Sequence, residues 1–313
     1  VRGWLALLVA LLALASLLAF GPVDLWALWQ RDPALARTLF MELRLPRTGL
    51  ALVIGAGLAG SGAALQGLLR NPLASPDVLG PSTGAALGAV LVGYGLGGGV
   101  LAMAVGGMAG ALASLGALLA LAGRGAGTTR LVLAGVAVAT LLGAGISLAL
   151  SLAPSPFALY DLMFWLMGSL ADRTLPQLLL AAPVIGAALW LLLRAAPGLD
   201  AMLLGEDVAA TLGVNTARLR WQVIIATGIA TGAAVAVAGS IGLVGLVVPH
   251  LVRGLVGQRP GAAIAPAALA GAALLLAADM AVRALPPSVD LKLGVLTALL
   301  GAPFFLWLVV RGR

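Results

Sequence analysis

RTGLALVIGAGLAGSGAALQGLLRNPLASP, residues 47–76, decides the fold class. Between Arg47 and Arg70 it carries no charge and is built mainly from Gly, Ala, Leu, Val and Ile. About 20 such residues in a helix cross the roughly 30 Å hydrocarbon layer of a bilayer. The glycines and alanines suit that setting, because helices in lipid approach one another through small residues. After Arg70 the pattern breaks at Asn71-Pro72-Leu73-Ala74-Ser75-Pro76. Proline lacks a backbone donor and pushes the residue before it away from helical angles. Irregular backbone at membrane depth is tolerated only against protein or a water-filled cavity. The segment is therefore expected to line a pathway.

Further apolar runs of near-membrane length extend the pattern on both sides. Spans are expected at about 3–20, 47–70, 78–96, 100–122, 131–151, 175–194, 219–238, 240–256, 264–284 and 293–310. The reading is all-α: one polytopic membrane domain over residues 1–313 with about ten transmembrane helices. Composition agrees, with 62% hydrophobic and 9% charged residues, where a soluble domain carries about 25% charged. The first run reads as an anchor, because no small-x-small cleavage site follows Phe20.

Orientation follows from the basic residues. With the N-terminus inside, the inner face receives eleven: Arg2, Arg70, Arg124, Arg130, Arg194, Arg218, Arg220, Arg253, Arg259, Arg311 and Arg313. The outer face keeps seven: Arg31, Arg37, Arg44, Arg47, Arg173, Arg283 and Lys292. Both termini are thus expected inside. Two connections are too long for turns. Residues 21–46 hold Trp26, Trp29 and Phe40 among charges and read as an interfacial helix. Residues 195–218, on the expected inner face, show two short helical patterns broken at Gly205 and Gly213, with Glu206 and Asp207 at a helix start. That segment reads as a docking surface for a cytoplasmic partner. Arg44-Leu45-Pro46-Arg47 and Arg218-Leu219-Arg220, each followed by a Gly/Ala-rich helix, suggest an inverted repeat of about 45–151 and 218–310.

Catalytic constellations are missing from the sequence. A phosphate loop needs a Gly-Lys-Ser/Thr step, and the single lysine, Lys292, lies between Leu291 and Leu293. Ser61 sits between Gly60 and Gly62 inside an apolar helix, where small residues serve packing rather than a nucleophile turn. With no cysteine and one histidine there are no disulfides, thiolate ligands or histidine clusters. The net charge of +7 comes from arginines between apolar runs, not from a nucleic-acid face. Asp279, the acid deepest in an expected span, stands four residues before Arg283 and reads as an ion pair on one helix face. An ion-coupled carrier would have to use that pair. His250, after Pro249, reads as a hydrogen-bonded structural histidine, and Gly239–Pro249 as a second break.

Several ordered stretches resemble the FecCD-type permeases, the membrane subunits of importers driven by an ATP-binding cassette that take up iron–siderophores, haem and vitamin B12. They are RLPR at 44–47, GSGAALQGLLRNPLASPDVLG at 60–80, LAGVAVA at 133–139 and GEDVAATLGV at 205–214. AGSIGLVGLVVPHLVR at 238–253, ADMAVR at 278–283 and GVLTALLGAPFF at 294–305 complete the set. The resemblance implies the type II importer permease fold, a ten-helix homodimer in a bacterial inner membrane with its pathway on the dimer axis. It implies two ATPase subunits inside, which bind ATP and magnesium, and a substrate-binding protein outside; this chain would hold no cofactor or metal of its own and do no catalysis. By the same resemblance Arg44, Arg47 and Arg283 pair with acids of the binding protein. The resemblance likewise implies that Asn71 and Leu73, with Thr128 and Thr129, form the inner gate and that Gly205, Glu206, Asp207, Ala209, Leu212 and Gly213 enter the ATPase cleft. Two places depart from the family pattern. Asp290-Leu291-Lys292 stands where the family reads Glu-Leu-Pro, and Gln258-Arg259-Pro260 stands near its Asp-His-Arg group. The expected cargo is an iron chelate, haem or siderophore, with vitamin B12 as the alternative.

Overall fold

The computed structural model describes residues 1–19, 24–72, 74–76, 80–97, 99–123, 128–286 and 289–311. Its regular secondary structure is all helical among these residues. Helix α1 (Arg2–Leu18) is followed by two short helices, α2 (Leu25–Arg31) and α3 (Pro33–Leu39), capped by the Asp24 and Asp32 carboxylates. Trp26, 74% exposed, and Trp29 project from α2 as an interfacial segment would. Helix α3 passes through a π-helical turn, Phe40–Arg44, into α4 (Leu45–Leu68). The described part of the 21–46 connection, residues 24–46, is therefore two capped helices fused to the second span.

The chain continues through α5 (Pro81–Val90), α6 (Val100–Ala122), α7 (Thr128–Ser151), α8 (Pro156–Leu166) and α9 (Leu175–Ala201). It ends with α10 (Glu206–Thr211), α11 (Thr216–Ala238), α12 (Val244–Arg253), α13 (Pro260–Ala284) and α14 (Leu293–Arg311). Helices occupy all ten stretches read as spans. Among the described residues, six are long and apolar enough to cross a membrane, and α1, α5, α8, α12 and the described part of α14 are shorter. Helix α8 has no counterpart in the sequence reading.

Helix α4 is the centre of the bundle and is buried along most of its length against α9, α11, α12 and α13. A helix apolar all round has no solvent face, and the glycines of α4 are what admit its neighbours. A methyl group on Gly55 would overlap the Gly271 carbonyl of α13, and one on Gly62 would overlap the Gly245 carbonyl of α12. The α5–α6 crossing repeats the device with Gly84 against Gly110 and Gly88 against Gly106. Lipid offers no hydrophobic drive for helix association, so backbone-to-backbone packing through small residues takes that role.

The stretch expected as one span at 240–256 is only partly helical. Helix α11 ends at Ala238, Gly239 and Leu243 take left-handed angles (φ 74° and 67°), and α12 starts at Val244. Gly245 then meets Leu58 and Gly62, beyond the midpoint of α4. The break confines itself to residues 239–243, and Pro249 lies inside α12 rather than ending it. Pro76 also packs on Gly245, and Ala74, Ser75 and Pro76 are buried. Residues 74–76 of the first segment and Gly239 and Ile241 of the second thus face protein, one condition under which a membrane interior accepts irregular backbone.

Candidate functional site

At one end of α4 the chain stops the helix with paired backbone bonds. The Asn71 amide donates to the Gln66 carbonyl at 3.2 Å, and the Arg70 amide to the Gly67 carbonyl at 3.4 Å. This is a Schellman arrangement, and it puts the left-handed residue at position 70 (φ 49°), where glycine is usual. An arginine there costs on the order of 1 kcal/mol in backbone strain. Its guanidinium donates to the carbonyl of Met202, the residue at the end of α9. Gln66 is held as well: its amide donates to the Leu246 carbonyl at 3.1 Å, and Arg253 donates to its Oε1 at 3.0 Å. Asn71 follows at the surface. Leu73 lies outside the described residues. Thr128 and Thr129 form the first turn of α7, with Thr129 exposed.

The same end carries α10. Met202–Leu204 form a single 3-10 turn, Gly205 takes φ 112°, and Gly213 takes φ 84°. These angles are open to glycine and strained for other residues, so the two glycines hinge the short helix on both sides. Ala209 is buried and anchors it, while Glu206 pairs with Arg220 at 3.1 Å. Its other face is apolar and uncovered: Leu204 is 65% exposed, Val208 44% and Leu212 62%. Asp207 is exposed beside them. The charged neighbours Asp200, Arg218 and Arg259, with Arg259 bound to Asp200 at 3.1 Å, mark this face as aqueous. An apolar knob on a polar membrane face is what a protein partner covers.

At the opposite end of α4, Arg44, Arg47 and Arg283 converge, joining residues from distant parts of the chain. Asp279, fully buried on α13, accepts from Arg47 Nε at 2.9 Å and pairs with Arg283 at 2.8 Å. Arg44 donates to the carbonyls of Leu17 and Leu18 at 2.9 and 3.0 Å, and Arg283 to the carbonyl of Ser16 at 3.2 Å. Two of the three arginines therefore cap the last turn of α1, where carbonyls lack helical partners and the dipole favours cations. Ser16 also bonds Thr48 of α4 at 2.7 Å. The i,i+4 pair of Asp279 and Arg283 exists, with Arg47 as its third member. Arg47 is the arginine of the three that keeps more than a trace of exposure, at 21% of its side chain.

An open apolar groove of about 630 Å³ runs between the end of α8, the 239–243 break and α14. Leu166, Met167, Val295, Ala298, Leu299 and Pro303 contribute most of its lining, with Ser240 as a polar member. Gly168 and Gly294 let the three elements meet, since a methyl on either would strike the Ser240 carbonyl. Sequence reasoning missed this site. Its legible signal was the Gly239-Ser240-Ile241-Gly242 cluster, read only as a break. His250 packs edge-on against Phe304 with ring centres 5.9 Å apart. Its Nδ1 has no hydrogen-bond partner among the described residues. The expected hydrogen-bonded histidine is thus corrected at that nitrogen: Nδ1 is buried without a partner among the described residues, and the ring packs against Phe304.

Comparison with known proteins gives one answer across the chain. The model of the FecCD transport family matches residues 4–311. The vitamin B12 import system permease protein BtuC of Citrobacter koseri is 40% identical over 316 residues, covering 99% of this chain and 94% of that protein. The hemin transport system permease protein HmuU of Yersinia pestis is 39% identical over 328 residues, covering 99% and 95%. A solved metal-chelate type ABC transporter in an inward-facing conformation superposes with a TM-score of 0.89 at 33% identity, over 99% of this chain and 98% of that one.

Proposed function

The chain belongs to the FecCD transport family, and from that premise we propose that it forms, as a homodimer, the path by which an importer brings an iron chelate across a bacterial inner membrane. It is a membrane permease of the ATP-binding-cassette class. In our reading the α10 face is cytoplasmic and receives two ATPase subunits, which supply ATP and magnesium. The arginine-cluster face is outward and receives a substrate-binding protein, and both termini are inside. The eleven-to-seven partition of basic residues supports this orientation.

The groove beside α8 and α14 carries the choice of cargo. Pockets of roughly 300–1,000 Å³ hold a single bound small molecule, and this one is lined almost wholly by carbon. Such a surface suits a flat, largely apolar iron porphyrin. Vitamin B12, whose rim is studded with amides, would leave polar groups unpaired against it. Relatives of both kinds exist, so the test is direct. Vesicles containing the permease, its ATPase and its binding protein are expected to accumulate haemin, ahead of a ferric siderophore and cyanocobalamin. Uptake is expected to stop with vanadate and to survive an ionophore. Ionophore-sensitive, vanadate-resistant uptake would replace the importer with an ion-coupled carrier.

Docking at the outer face rests on Arg47 in this reading. Arg47 and Arg283 share one buried acid while Arg44 is held by backbone carbonyls of α1, which leaves a positive excess at the membrane surface for acidic groups of a partner. Arg47→Gln is expected to weaken association of the binding protein about tenfold at low salt and to flatten its salt dependence. Unchanged affinity and salt slope would leave the cluster as packing between α1, α4 and α13 alone.

A further inference from the structure

Position 70 joins two facts that the transport reading alone leaves unconnected. The left-handed backbone there suits glycine, yet the residue is an arginine whose side chain spans to Met202. The Met202 carbonyl is also the acceptor for the Gly205 amide at 3.2 Å, the bond that closes the turn leading into α10. Arg70 and the first hinge of α10 therefore share one oxygen atom. On the gate side, Arg70 directly precedes Asn71, whose own amide is held by Gln66. Gln66 in turn is fastened to α12 through Leu246 and Arg253. A displacement of the Met202–Leu204 turn moves the acceptor of Arg70 while Gln66 stays fixed to α12.

We propose that Arg70 is a positioning residue that ties the α10 hinge to the start of the gate segment, so that movement of α10 is delivered to Asn71. The inference rests on the importer reading, in which α10 meets the ATPase and Asn71 belongs to the inner gate. The physical requirement for coupling is an element that both sites bias. The shared carbonyl supplies the connection, because no flexible loop stands between hinge and guanidinium. A purely structural role, neutralising the carbonyl end of α9, makes a different prediction: loss of the side chain would lower stability and leave coupling per folded molecule intact.

Arg70→Gly separates the two, since glycine is the residue that this backbone favours and the fold is expected to keep or gain thermal stability. The background is Asn71→Cys in a chain without native cysteine, spin-labelled and reconstituted as the complete permease–ATPase complex. In the parent, the distance between the two labels is expected to shift on adding ATP with vanadate. With Arg70→Gly, most of that shift is expected to vanish and haemin uptake per ATP hydrolysed to fall about tenfold. Basal ATP hydrolysis and the melting temperature should hold, and Arg70→Lys should restore part of the shift. A full label shift in the glycine variant would overturn the tie. If the parent hydrolyses ATP but shows no shift, the gate assignment fails and the tie fails with it. A parent that binds no ATPase would remove the importer reading itself.

Discussion

Asp279→Ala is expected to destabilise the folded permease by about 3–5 kcal/mol, the cost of leaving buried charges without their counter-ion. The carboxylate is fully buried and accepts from two guanidiniums, one of them nearly as buried as itself. Without it, Arg47 and Arg283 would face each other at the top of α4 and α13, and the hold of Arg283 on Ser16 would loosen with them. The check is an equilibrium unfolding titration in mixed micelles, with the hydrogen-bonding variant Asp279→Asn as an intermediate case. The companion double variant Asp279→Leu with Arg283→Leu is expected to cost less than the single loss of the acid. Removing Asp279 together with Arg283 leaves only Arg47 without its counter-ion, and Arg47 keeps 21% of its side chain exposed. A single-variant cost under about 1 kcal/mol would mean that water or lipid headgroups already neutralise the arginines.

The second large effect lies at the other end of the bundle. Val208→Glu with Leu212→Glu is expected to lower ATPase affinity about 100-fold, since docking would have to strip water from two unpaired carboxylates at the contact. Both side chains are exposed in the isolated chain (44% and 62%), so the melting temperature of the permease should not move. Ala209 is the contrasting position: it is buried beneath the same helix, and Ala209→Leu should unseat α10 and lower stability together with affinity. The measurement is retention of the ATPase on immobilised permease, followed by vanadate-sensitive uptake. Retention equal to the parent would show that α10 is not the docking element.

These two sites were legible to different degrees. The α10 hinge could be read locally: Gly205 and Gly213 flank a six-residue pattern beginning Glu206-Asp207, and the turn geometry depends on those residues alone. The i,i+4 pairing of Asp279 and Arg283 was likewise a matter of helix period. Arg47 as the third partner was not, because 232 positions separate it from Asp279 and no local rule spans that distance. The capping of α1 by Arg44 and Arg283 was hidden for the same reason. Helix α8 escaped because its 11 residues fall short of a span and Ser155-Pro156 reads equally as a turn or a helix start.

Sequence alone determined that lipid surrounds this chain, where its ten longest apolar runs lie, and near which prolines and glycines they are interrupted, because each follows from the apolar length of a run or from the backbone chemistry of proline and glycine. It also determined the family, through motifs spread from Arg44 to the last helix. Tertiary structure alone decided the destination of the charges and the depth of the breaks. An arginine in membrane surroundings must find an acceptor, and which one it finds depends on helices brought together by the backbone contacts of Gly55 with Gly271 and Gly62 with Gly245. The groove between α8, residues 239–243 and α14 has the same origin. It is a space left between packed elements, and no single stretch of sequence contains it.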